Sequence, residues 1–138
     1  IKYIGQPYWT KKAIESFKKN GINGLRHEHV VPNKIVREKL KESKKEFASI
    51  FEILDKVVHA VVVTKEEANE LDKKFKVKMP EHIEFQLSND KDYLFSRYIE
   101  FNKINDFNKI EIYYLNEEQR NTSKSIREID LSLIEKIL

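Results

Sequence analysis

Apolar positions recur at helical spacing along several stretches of this chain, and in others they run together or alternate. Ala13, Ile14 and Phe17 form one stripe behind Thr10, a residue type whose side-chain oxygen caps helix N-termini, and Gly21 ends the run. An amphipathic helix is predicted there, entered from a turn at Gly5-Gln6-Pro7. The segment Leu25-Arg26-His27-Glu28-His29-Val30-Val31 is short and bounded by Gly24 and Pro32, which predicts a strand. Asn33 is then placed to cap a helix through Ile35, Val36 and Leu40. The Lys/Glu-rich stretch to Glu46 leads into a second stripe of Phe47, Ile50, Phe51, Leu54 and Val58, so one long or one broken helix fits.

Val57 to Val63 is β-branched and apolar on both faces, as a buried strand is, and Val58 belongs to either reading. Thr64 with Glu67 three residues later makes a capping box, which starts a helix through Ala68, Leu71 and Phe75 where the strand ends. After a loop at Met79-Pro80, Leu94, Tyr98 and Phe101 mark a helix over 92–101, and 109–115 alternates like a strand with one wet face. A polar loop over 116–124 precedes Ile126, Ile129, Leu133, Ile134 and Ile137, whose spacing predicts a closing helix. The pattern gives an α+β fold, a small sheet packed with several helices, in one domain over 1–138.

Composition narrows the function classes. Zero Cys excludes disulfides, thiolate zinc sites and thiol nucleophiles, and fits a reducing, cytoplasmic compartment. No apolar run spans a bilayer and no charged-then-apolar leader opens the chain, which starts on Ile1 as a trimmed chain or a piece of a longer one does. Three Gly without nucleotide-loop spacing argue against nucleotide cofactors. Net charge is only +3, yet residues 1–46 carry 12 Lys/Arg against 5 Glu and the remainder 14 against 18. The basic third suits a polyanion such as DNA or RNA, or is simply a solvated face.

Chemistry concentrates at Arg26-His27-Glu28-His29. On a strand His27 and His29 share one face and Glu28 takes the other, so the two imidazoles can bind one metal that Glu28 cannot easily join. Phosphodiester hydrolysis asks for a base on one side of phosphorus and a cation on the other. Glu28 holding a divalent cation with His29 as general base meets that need through their opposed directions. Lys34 and Arg37, on the first turns after Pro32, are candidate phosphate contacts beside Arg26, and Arg97 is a weaker one. His59 either edges the core or completes a His27/His29/His59 metal centre, and His82 reads as a loop residue. Tyr93, Phe95, Tyr98 and Phe101 are core aromatics or a base-stacking surface.

Glu28-His29-Val30-Val31-Pro32 resembles the acid-His-x-x-Pro signature of HNH and related ββα-metal nucleases. The resemblance covers residues 24–75. It implies a ββα-metal core, His29 as general base, Glu28 as metal ligand and a further ligand from the helix after the second strand, where Asn69 lies. His27 is a further candidate ligand, and Mg²⁺ suits oxygen donors with retained waters. Forty positions separate His29 from Asn69, and the helix offers no His. The expected activity is metal-dependent endonucleolytic hydrolysis of DNA or RNA, with a second copy or an inhibitor protein as further partners. The competing expectations are a non-catalytic nucleic-acid- or protein-binding domain using the basic third, and a small-molecule hydrolase built on the three histidines.

Overall fold

A computed structural model describes residues 5–43, 47–75 and 78–138. The elements are β1 (Tyr8–Thr10), α1 (Lys11–Asn20), β2 (Leu25–His29), α2 (Asn33–Glu42), α3 (Phe47–Val57), β3 (Ala60–Thr64) and α4 (Lys65–Phe75). They continue as α5 (Lys91–Leu94), α6 (Ser96–Ile104), β4 (Ile112–Tyr114), α7 (Ser123–Arg127), a 3-10 turn at Leu131–Leu133 and β5 (Glu135–Lys136). The strands form one mixed sheet in the order β2-β3-β1-β4-β5, so the fold is α+β as the pattern predicts. β1 runs parallel to β3, and every other neighbouring pair is antiparallel.

β3 is buried along its whole length because both sheet faces are covered. Val61 and Val63 face a core that includes Ala68, Leu71 and Phe75 of α4 and Tyr98 and Phe101 of α6. Val62 faces the other, with Trp9, Ala13, Ile14, Phe17 and Ile126. Each of the three β3 valines contributes about 1.5–3 kcal/mol by leaving water, so this short strand anchors both layers.

Two strand-to-helix joints lie side by side at one end of the sheet. Thr10 Oγ1 accepts the Ala13 N–H at 3.1 Å and starts α1. Thr64 Oγ1 accepts the Glu67 N–H at 3.1 Å, and Glu67 Oε1 accepts the Thr64 N–H at 3.0 Å, the reciprocal capping box that the sequence predicts. Because β1 and β3 are parallel neighbours, the Thr10 hydroxyl also reaches Glu67 Oε1, donating at 2.6 Å. One buried carboxyl thus ties both joints. Gly24, at φ 82°, turns the chain into β2 in the left-handed region that favours glycine, and its carbonyl accepts the Lys65 N–H at 2.9 Å.

Several expectations change. β1 was absent from the pattern, since three residues carry too little alternation to register. Asn33 is the first helical residue of α2 rather than its cap; the Pro32 carbonyl opens the helix by accepting Ile35 N–H at 2.9 Å and Val36 N–H at 3.2 Å. In α3 the buried positions are Ile53 and Val57, whereas Phe51, Leu54 and Val58 of the expected stripe are exposed. The stretch through Glu46 enters residues 44–46, outside the described residues, as is the side chain of Phe47. The helix over 92–101 is two pieces, the first capped by Asp90 and the break falling at Phe95. The closing helix is replaced by α7, the 3-10 turn and β5. Asp130 captures the Ser132 N–H and hydroxyl, and Ile137 and Leu138 bond back to Ile112, so the last apolar residues follow a sheet edge. Tyr93, Phe95, Tyr98 and Phe101 are all core. Among the described residues no helix is long and apolar enough to cross a membrane.

Candidate active site

β2 is an edge strand, antiparallel to β3, and α4 starts at the end of β3 and packs against both. The three form a strand–strand–helix unit, with α2 and α3 inserted between the strands. In the register His27 pairs with Val62 and His29 with Ala60, whereas Glu28 pairs with Val61 and Arg26 with Val63. Val62 and Val61 belong to opposite cores, so the imidazoles and the carboxylate leave the strand on opposite faces, as strand geometry predicts. The His27 and His29 rings meet edge to face with centroids 5.6 Å apart.

The strand lies at the sheet edge, so a cleft can wrap round it and reach both faces. This cleft, about 210 Å³, is lined by His27, Glu28, His29, Lys34, Arg37 and Arg97, with Pro32 and Asn33 completing it. Pro32 ends β2 and opens α2 at once, which brings the first two turns of α2, bearing Lys34 and Arg37, over the strand's C-terminal residues.

Arg97 is the residue that sequence reasoning underrated. It is 1% exposed, on α6, and its guanidinium is held by backbone carbonyls from two elements: Nε donates to Val30 O at 3.3 Å, Nη1 to Phe75 O at 2.9 Å, and Nη2 to His29 O. No carboxylate lies within ion-pair distance of it among the described residues. A buried cation with carbonyls on one side and an open cleft on the other favours an anion in that cleft. The available signal was an arginine among core aromatics, Phe95-Ser96-Arg97-Tyr98, but nothing in the local pattern tells which partner it meets.

Burial pushes the Glu28 carboxyl above the usual carboxylate range. The Arg97 and Arg26 charges pull it down and Asp72 of α4 pushes it up. The helix residue whose charge reaches Glu28 is therefore Asp72. Asn69 is exposed and does not line the cleft, because α4 buries Glu67, Ala68, Leu71 and Phe75 and turns position 69 away from that face. Arg26 is exposed and outside the cleft lining, though its charge is felt at Glu28.

Among the described residues no group of three or more His, Cys, Asp or Glu is placed to hold a metal unaided. His59 shares a second depression with His27 and His29, but the three do not assemble as a metal centre. His82 is exposed and faces Glu100 at 3.5 Å. Mg²⁺ keeps several waters and is commonly bound through one or two carboxylates plus substrate phosphates, and Glu28 supplies a cleft carboxylate for that arrangement.

Comparison with protein-family models, curated proteins and solved structures finds no match to this chain.

Proposed function

We propose that the chain is a metal-dependent endonuclease of the HNH-like kind, hydrolysing phosphodiester bonds of DNA or RNA. One observation carries the reading: a single cleft gathers His27, Glu28, His29, Lys34, Arg37 and Arg97, two imidazoles, a carboxylate and three cations. Such a lining suits a phosphodiester. Arg97 takes a phosphate oxygen as a preorganised cation, and Lys34 and Arg37 hold the flanking backbone. His29 removes the proton from the attacking water as general base, and its backbone is held by Arg97. Glu28, on the opposite face of the strand, is the residue that would hold a divalent cation. When bound, that ion stabilises the charge on the leaving oxygen. Asn69, turned away from the cleft, is left out of this assignment.

The test is Mg²⁺-dependent nicking of plasmid and cleavage of RNA by His29→Ala. A loss on the order of 100-fold or more is expected, with the far-UV spectrum unchanged. Unchanged cleavage removes His29 as the base. The basic N-terminal third, with Lys34 and Arg37 at the cleft, also suits a second reading, a non-catalytic nucleic-acid- or protein-binding domain. In that case the wild-type chain binds nucleic acid or a protein and cuts nothing at any Mg²⁺ concentration.

A further inference from the structure

The His27 and His29 rings belong to two depressions. One is the Arg97 cleft; the second, about 230 Å³, is lined by these same imidazoles with Gln6, Tyr8, His59 and neighbouring apolar residues. The two contrast sharply in charge. Lys34, Arg37, Arg97 and Glu28 line the first, whereas no Lys, Arg, Asp or Glu lines the second. It presents aromatic and imidazole rings instead. Tyr8 meets His59 edge-on at 6.3 Å and also contacts the rings of Phe95 at 5.2 Å and Tyr114 at 5.7 Å, centroid to centroid. A ring so packed is preorganised, and the ordering cost of stacking on it is low.

A mainly cationic depression joined through a shared wall to an uncharged, ring-lined one complements a nucleotide, which is anionic at one end and planar and neutral at the other. The second depression is smaller than the roughly 300–1,000 Å³ that enclose a drug-sized ligand, which suits one ring system rather than a whole cofactor. We propose that it receives the base of the nucleotide whose phosphate lies in the Arg97 cleft, so the preferred substrate is a strand with unpaired bases. This rests on the nuclease reading for the phosphate alone. In a duplex the bases are stacked and paired inside, and reaching the depression costs their unstacking. In a single strand each base offers its face freely, and Gln6 and His59 supply hydrogen-bonding groups for its edge.

Fluorescence anisotropy of the wild-type chain in EDTA tests this with three labelled probes of equal length: a DNA single strand, the same strand in a duplex, and a strand abasic throughout. The first keeps phosphates and bases, the last the phosphates only. The intact single strand is expected to bind tighter than both others, by on the order of 10-fold. His59→Ala should remove that preference while leaving the abasic strand's affinity unchanged, with a thermal melt checking the fold. If His59→Ala melts early, Gln6→Ala takes its place and should narrow the same preference. Equal affinity for intact and abasic strands overturns the base site and leaves the phosphate cleft standing, as does tighter binding of the duplex. No binding of any probe at low salt overturns both proposals. A base preference in a chain that cuts nothing upholds this inference and sinks the nuclease reading alone.

Discussion

Two glutamates, Glu67 at the strand-to-helix joints and Glu28 on the edge strand, are both pushed above the usual carboxylate range, and burial is the leading cause for each. Their surroundings diverge from there. Glu67 is 6% exposed, and its Oε1 accepts from the Thr10 hydroxyl and the Thr64 N–H, partners supplied inside the fold. Among the described residues the Glu28 side chain has no hydrogen bond or ion pair, and it lines an open cleft with a buried guanidinium. A desolvated carboxyl that is satisfied holds structure together. A half-buried one with no side-chain partner in the fold, at an open cleft, is a candidate for chemistry, because it is left to meet what enters the cleft.

Substitution should separate the two roles. Glu28→Gln is expected to reduce Mg²⁺-dependent cleavage by about 100-fold or more while the urea midpoint stays near wild type. Equal loss of stability and activity would make Glu28 a second structural carboxyl and erase the contrast. Next in size come the stability effects. Arg97→Met removes three donors from buried carbonyls and should cost on the order of 3 kcal/mol, whereas Glu67→Ala, which removes half of a capping box and the link to Thr10, should cost about 2 kcal/mol. Equilibrium urea unfolding measures both, and a smaller loss for Arg97→Met than for Glu67→Ala would reverse the ranking.

The smallest effect is in pH. A carboxyl whose folded-state pKa lies above its unfolded value binds more protons folded than unfolded. Its contribution is therefore fully present below the unfolded pKa and is lost as pH rises through the folded one. Glu67→Gln should flatten that decline, read from urea midpoints across about pH 4 to 7. Glu28→Gln should flatten it less, since the site is part-exposed and Arg97 and Arg26 oppose the shift. Cleavage by the proposed mechanism, which needs Glu28 ionised, should rise over the window in which stability falls. Stability and activity rising together would show that the two carboxyls do not titrate as described.

The local patterns that proved legible were those whose cause is local. Thr10 and Gly21 bound α1 because capping acts within a turn, and Thr64 with Glu67 marked the joint into α4 for the same reason. The outward stripe of α3 and the final strand were misread because apolar spacing says that a side chain is buried against something, without saying what. Leu133 is 78% exposed although its spacing matched a helix, once Asp130 had broken the run.

By itself the sequence determined the α+β class, the opposed faces of His27, His29 and Glu28, and the basic residues just after Pro32, since alternation along a strand and a proline-initiated helix need no distant partner. Only the tertiary structure decided that α6 delivers Arg97 beneath β2, 68 positions from His29, that the Asp72 charge of α4 is felt at Glu28 while Asn69 lies exposed outside the cleft, and that Glu67 serves two joints at once. Those outcomes depend on helix phase and on which strands become neighbours, and both are settled by packing against elements remote in the chain.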